Sequence, residues 1–207
     1  MFDQFMIFTA ASWILIVTPG PDMIYVMTRG ISQGRKAGVV SAFGVTIGIL
    51  VHTLFASMGL AMLLMTSSLA FLIVKFAGAC YLIFLGIKSI KDKSGLSFIG
   101  KSHPRPYSSI FIQGILSNVL NPKVALFFLA FLPQFVSYDG GHVAMQMLIL
   151  GGFFALFGVI FLVALGYFSG RVGQWLSSKR QLYRKINVLT GSVLIGLGLR
   201  LAFIEKD

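Results

Sequence analysis

Val17-Thr18-Pro19-Gly20-Pro21-Asp22 sets two prolines, a glycine and a carboxylate inside an apolar run, residues 5–28, that is otherwise long enough to cross a bilayer. A continuous helix cannot pass through it. Proline removes an amide donor and clashes with the preceding turn, so the hydrogen-bond ladder opens near the middle of the span. In hydrocarbon, the freed carbonyls and amides are tolerated only where protein or a wet cavity satisfies them. The break therefore predicts an interior site at Thr18, Pro19, Gly20, Pro21 and Asp22. Pro21 suits the first position of a restarting helix, and Asp22 suits its positive end. The alternative is a kink that only shapes packing, with Asp22 snorkelling or idle. An ionisable group at mid-depth favours the functional reading.

The rest of the chain agrees with a bilayer. Of 207 residues, 57% are hydrophobic and 11% charged, and the mean hydropathy is +0.88. A soluble domain carries roughly 25% charged residues. A net charge of +11 would suggest nucleic acid in a soluble protein, but no segment between the apolar runs is long enough to form a basic aqueous domain. No nucleic-acid partner is expected. The lone cysteine, Cys80, lies in an apolar segment and reads as core; disulfides, cysteine zinc sites and CxxC relays are excluded within one chain. Met1-Phe2-Asp3-Gln4 has no basic character, so the first span is expected to remain in the mature protein.

Six segments have spanning length: 5–28, 39–65, 69–90, 108–132, 143–168 and 186–204. Arg29, Arg35 and Lys36 follow the first. Lys88, Lys91, Lys93, Lys101 and Arg105 follow the third, and Arg171, Lys179, Arg180, Arg184 and Lys185 follow the fifth. The other two linkers carry no basic residue. The positive-inside rule then makes the basic linkers cytoplasmic and puts both termini outside. Residues 91–107 read as a cytoplasmic connector, and 169–184, with Trp175, Leu176, Leu182 and Tyr183, as a short helix along the headgroups.

The two halves look alike. Leu85-Gly86-Ile87-Lys88 closes the third span and Leu197-Gly198-Leu199-Arg200 the sixth, while Leu120-Asn121-Pro122-Lys123 interrupts the fourth as the first is interrupted. Three spans per half is an odd number, so the second half sits upside down. The expected fold is an all-α integral membrane protein of one domain, residues 1–207. Its six transmembrane helices form two inverted three-helix repeats, 1–90 and 108–207, around the linker 91–107. The first and fourth helices are broken, and secondary transporters built this way hold their site at the midplane. Gly44 and Gly48, and Gly191, Gly196 and Gly198, make thin helix faces for packing within the bundle, with a seam in a homo-oligomer as the other use.

At the second break, Asn121 is a cap residue, Pro122 takes the first helical position, and Lys123 follows. A lysine there does not complement the helix dipole, so Asp22 is its expected partner across the repeat axis. Acid, base and two positive half-helix ends make a cradle for a zwitterion, its carboxylate toward Lys123 and its ammonium toward Asp22. A structural ion pair is the alternative. His52, near the centre of the second span, reads as a neutral hydrogen-bonded group, with proton relay as its alternative role. Asn118, one turn before Asn121, is expected to face the same cavity. Lys75 is expected to snorkel to the outer surface, and Trp13 and Phe127 are candidates for a gate or simple packing. No serine elbow, HExxH or acidic metal cluster is present, so neither an enzyme nor a metal or other cofactor site is expected.

These residues resemble the LysE/RhtB family of bacterial amino-acid exporters. The resemblance runs through Thr18-Pro19-Gly20-Pro21-Asp22, Gly34-Arg35-Lys36-Ala37-Gly38, Gly44, Gly48 and His52. It continues through Gly78-Ala79-Cys80-Tyr81-Leu82 with Leu85-Gly86, then Asn121-Pro122-Lys123, Phe127, Phe128 and Leu132-Pro133-Gln134-Phe135. It implies a six-helix exporter in the inner (plasma) membrane, moving amino acids or relatives such as homoserine lactone out of the cytoplasm by proton antiport. Its partners would be a small amino-acid-like substrate, protons and the lipid bilayer. The rival is a membrane scaffold or assembly factor, which predicts a dry, apolar centre at the breaks.

Overall fold

A computed structural model describes residues 2–60, 68–91, 103–137, 142–178 and 180–203, and among these every regular element is helical. The first apolar run is two helices, α1 (Phe2–Val17) and α2 (Pro21–Gln33), bent by 49° at the Pro-Gly-Pro break. Gly34 alone turns α2 into α3 (Arg35–Phe55). Its φ of 88° is open to glycine at little cost, and its amide closes the helix end on the Gly30 carbonyl at 3.1 Å. The expected start at Val39 is therefore four residues late, because Arg35 directly follows this one-residue turn. A π-helical turn, Ala56–Leu60, continues α3; the end expected at Met65 lies outside the described residues.

After α4 (Ser68–Lys91), the second break divides α5 (Tyr107–Val119) from α6 (Pro122–Leu126), with a bend of 46°. A π-helical turn, Phe127–Phe131, and a 3-10 turn, Leu132–Phe135, prolong α6. Then come α7 (Val143–Ser178) and α8 (Arg180–Phe203). Of the stretch 169–184 expected as a helix along the headgroups, the part to Ser178 is the last portion of α7, with no proline to interrupt the ladder, and the part from Arg180 opens α8. Arg35–Met58 and Val143–Arg171 are long and apolar enough to cross a membrane, as are the two bent pairs if each counts as one span. Asn187–Phe203 is a shorter apolar helix. Large apolar side chains such as Phe43, Phe55, Ile112, Leu116 and Ile160 are exposed, as expected of a molecule whose outer surface meets lipid. This is a membrane protein.

Glycines decide how closely the helices meet. A Cβ on Gly86 of α4 would stand 2.5 Å from the carbonyl oxygen of Gly191 on α8, and one on Gly191 would stand 2.5 Å from that of Gly86. Gly86 also lies against Ile195, and Gly198 lies in the same manner against Ala79 and Ile83. The numbering offset from Gly86 to Gly198 also relates Ile83 to Ile195 and Ala79 to Gly191. Gly38 of α3 and Gly166 of α7 meet in the same reciprocal way. The Gly44 and Gly48 stripe faces Gly114 and Asn118 of α5, so it is used inside the chain and leaves no thin face there for a seam between copies.

Apolar packing is densest around the second break. Phe127, Phe128, Phe131 and Phe154 are almost fully buried, with the Phe127 and Phe154 rings 5.0 Å apart and those of Phe128 and Phe154 5.4 Å apart. Phe8 of α1 joins through Phe135 at 5.4 Å. This aromatic wedge seats the second break against α1 and α7.

Candidate functional site

Each helix break is completed by the other. At the end of α1 the carbonyl of Thr18 has lost its helical partner, and Lys123 Nζ donates to it at 2.8 Å. The lysine thus sits at the negative end of α1, where a cation is favoured. At the start of α2, Asp22 Oδ2 accepts from Asn118 Nδ2 at 2.8 Å and from Asn121 Nδ2 at 2.9 Å. Asn121 cannot turn over, because its Oδ1 accepts the Lys123 backbone N–H at 3.0 Å and caps α6.

The expected Asp22–Lys123 pairing takes a different form. Each charge is held by neutral groups, the acid by two amides and the lysine by a carbonyl, and the two share the lining of one small pocket. The physical reason is the break itself. A carbonyl freed in a low-dielectric interior must find a donor, and the lysine reaches it first. Asp22 Oδ1 is buried without a partner.

Gly48 makes room for this arrangement. A Cβ there would fall 2.6 Å from Cβ of Asn118, which is completely buried and lines neither cavity. The carbonyl of Asn118 accepts from His52 Nε2 at 3.1 Å, so His52 carries its proton on Nε2 and stacks on Phe128 at 6.0 Å. The histidine supports the asparagine that holds Asp22. Lys75 is largely buried beside Phe76, its Nζ 5.4 Å from the ring centroid. Trp13 stacks on Phe157 at 5.7 Å, while Phe127 belongs to the aromatic wedge.

Two cavities meet at the clasp. The larger, about 350 Å³, is lined by Thr18, Pro19, Gly20, Pro21, Asn121, Pro122 and Lys123 from the breaks. Ile24 of α2, Tyr81, Leu85, Lys88 and Ser89 of α4, and Asn187 and Leu194 of α8 complete it. Lys88 is exposed and marks its rim. Two lysines and no carboxylate line it, so it favours an anionic group, and its volume lies in the range of small-molecule sites. The smaller, about 30 Å³, room for roughly one water, is lined by Asp22, Phe154 and Leu162 among others. Thr18, Gly20 and Lys123 line both, and so form the partition. Among the described residues, no three His, Cys, Asp or Glu side chains gather as a metal site.

Tyr81, Lys88, Ser89 and Asn187 were not among the candidates expected from sequence. Asn187 had a signal: it stands just inside the sixth apolar segment, with Thr190 and Gly191 on the same helical face.

A family model described as LysE type translocator matches residues 13–204. The chain belongs to the LysE family. Relatives align over most of their length. The membrane protein YrhP of Bacillus subtilis is 32% identical to this LysE-family chain, over 90% of this chain and 92% of its own length. A leucine efflux protein of Enterobacter sp. strain 638 is 30% identical, over 98% and 96%. A leucine efflux protein of Salmonella typhimurium is 28% identical, over 93% and 91%. No solved structure matches. The family's description is that of a transporter rather than an enzyme.

Proposed function

We propose that this LysE-family protein is a secondary exporter of neutral amino acids, leucine-like in side chain, working by alternating access through the paired breaks. The observation that carries this reading is the cavity of about 350 Å³ that ends on the Lys123–Thr18 partition. The scaffold reading predicts dry, apolar packing at that position. Family membership and relatives named for leucine efflux point the same way.

In this reading the chain has six spans in the inner membrane, termini outside, as two inverted repeats. The repeat is supported by the α4–α8 contacts, in which Gly86 with Gly191 and Ile195 corresponds to Gly198 with Ala79 and Ile83. With the basic linkers cytoplasmic, Lys88 lies on that side, so the large cavity is open to the cytoplasm and ends on the Lys123–Thr18 partition. The substrate carboxylate enters toward Lys123, whose ammonium spends one donor on Thr18 and keeps two more. Passage requires the Lys123–Thr18 bond to open. Asp22, across the partition, takes up a proton on Oδ1 from the outer side and releases it inward as the substrate leaves.

Proteoliposomes test this directly. Leucine counterflow, with lysine and glutamate as comparison solutes, reads transport itself, and a pH gradient reads coupling. Asp22→Asn keeps an amide in place of the carboxylate and is expected to abolish pH-driven efflux while counterflow persists. Wild-type vesicles with no counterflow for any amino acid would overturn the exporter; undiminished pH-driven efflux by the variant would remove Asp22 from coupling.

A further inference from the structure

Three elements that line the large cavity converge just beyond it. On α4 the lining residues Lys88, Leu85 and Tyr81 step inward from the rim, and Gly78 is the next turn of the same face. A Cβ on Gly78 would fall on the methyl of Ala130, in the π-helical turn that follows the second break, and 3.6 Å from Leu201 Cδ2 of α8. Ala130 stands about two helical turns beyond the lining residue Lys123, and Leu201 about two turns beyond Leu194. Gly78, Ala130 and Leu201 are all buried and line neither cavity. The backbone at Ala130 is irregular, since residues 122–135 run as α-helix, π turn and 3-10 turn in succession. A π turn holds one residue more than an α-helix would, and returning it to α pitch turns its far end by about 100°.

Resting on the export reading, we propose that the Gly78–Ala130–Leu201 junction is the outer gate of the exporter, with the π turn as its moving part. The Lys123–Thr18 partition bounds the cavity against the acid, and the junction bounds it against the outside, so export needs both to open. Only a residue without a side chain lets α4 come this close to Ala130. The seal is therefore one methyl and the end of one leucine, and it exposes little apolar surface when it parts. A change of pitch in the π turn carries the methyl away from Gly78.

The test follows a thiol at the junction, in right-side-out and inside-out membrane vesicles. With Cys80→Ser as background, Leu201→Cys places sulfur in space that a larger side chain vacates. It is expected to resist a membrane-impermeant thiol reagent from either face at rest, and to react from the outer face about tenfold faster or more during leucine counterflow, because reaction follows exposure. Gly78→Ala adds a second methyl to the seal and is expected to raise the resting rate toward the rate in counterflow. Adding Ala130→Gly moves the methyl from one wall to the other and is expected to return the rate to its resting value. Reaction from the cytoplasmic face, or an outer-face rate that counterflow leaves unchanged, would overturn the gate; failure of the exchange to restore the rate would overturn the part given to the Gly78–Ala130 contact. If Gly78→Ala does not fold, the comparison at Leu201→Cys with and without counterflow still decides. Wild-type vesicles without counterflow for any amino acid would instead sink the export reading on which the gate rests.

Discussion

At the scale of single residues, the centre of this protein is a reciprocal clasp. Lys123 closes the carbonyl end of the first break, and Asn118 and Asn121 close on the acid at its helical start. Because Asn121 also caps α6, Asn121→Ala removes two interactions and is expected to lower stability by about 0.5–2 kcal/mol from the cap alone. Thermal unfolding in detergent measures this. Lys123→Met keeps the stem and deletes the donor. Leucine binding is expected to fall at least tenfold, and the orphaned Thr18 carbonyl to cost about 1–3 kcal/mol in the same melting assay. An unchanged affinity would show that the substrate carboxylate does not use Lys123.

At the scale of elements, helix spacing rests on a few glycines and not on others. Gly86→Ala and Gly191→Ala each drive a methyl against the opposing carbonyl at 2.5 Å, and each is expected to destabilise by about 1–3 kcal/mol. The near-equal environments predict near-equal losses. Gly152 of α7 and Gly196 of α8 have open space where a Cβ would go, so Ala there is expected to be neutral or to stabilise by up to about 1 kcal/mol through helix propensity. Melting temperatures of the four variants decide it, and a uniform effect would mean that the close contacts do not govern stability. The bent elements were legible beforehand, since Pro21 and Pro122 each stand at a first helical position. The length of α7 was not: hydropathy reports where lipid begins and ends, whereas a helix continues until its hydrogen bonds are interrupted.

For the whole molecule, the prediction is one of sidedness. With Cys80→Ser as background, Lys88→Cys is expected to react with a membrane-impermeant thiol reagent from the cytoplasmic face only, and leucine is expected to slow that reaction. Labelling from the outside would reverse the proposed orientation.

The sequence by itself determined the membrane class, both interruptions and the caps that restart the helices, because these follow from local rules: apolar length, proline's missing amide, and the residue that meets a helix end. It also named most of the residues at the clasp. Only the tertiary structure decided who holds whom. Asp22 goes to two asparagines and Lys123 to the Thr18 carbonyl, while Asn187, nearly seventy residues from the second break, shares its cavity. A freed backbone carbonyl has no signature in the amino-acid code. Its partner is whichever donor the packed helices bring within reach, and that is settled by how closely glycines such as Gly48 and Gly86 allow neighbouring backbones to approach.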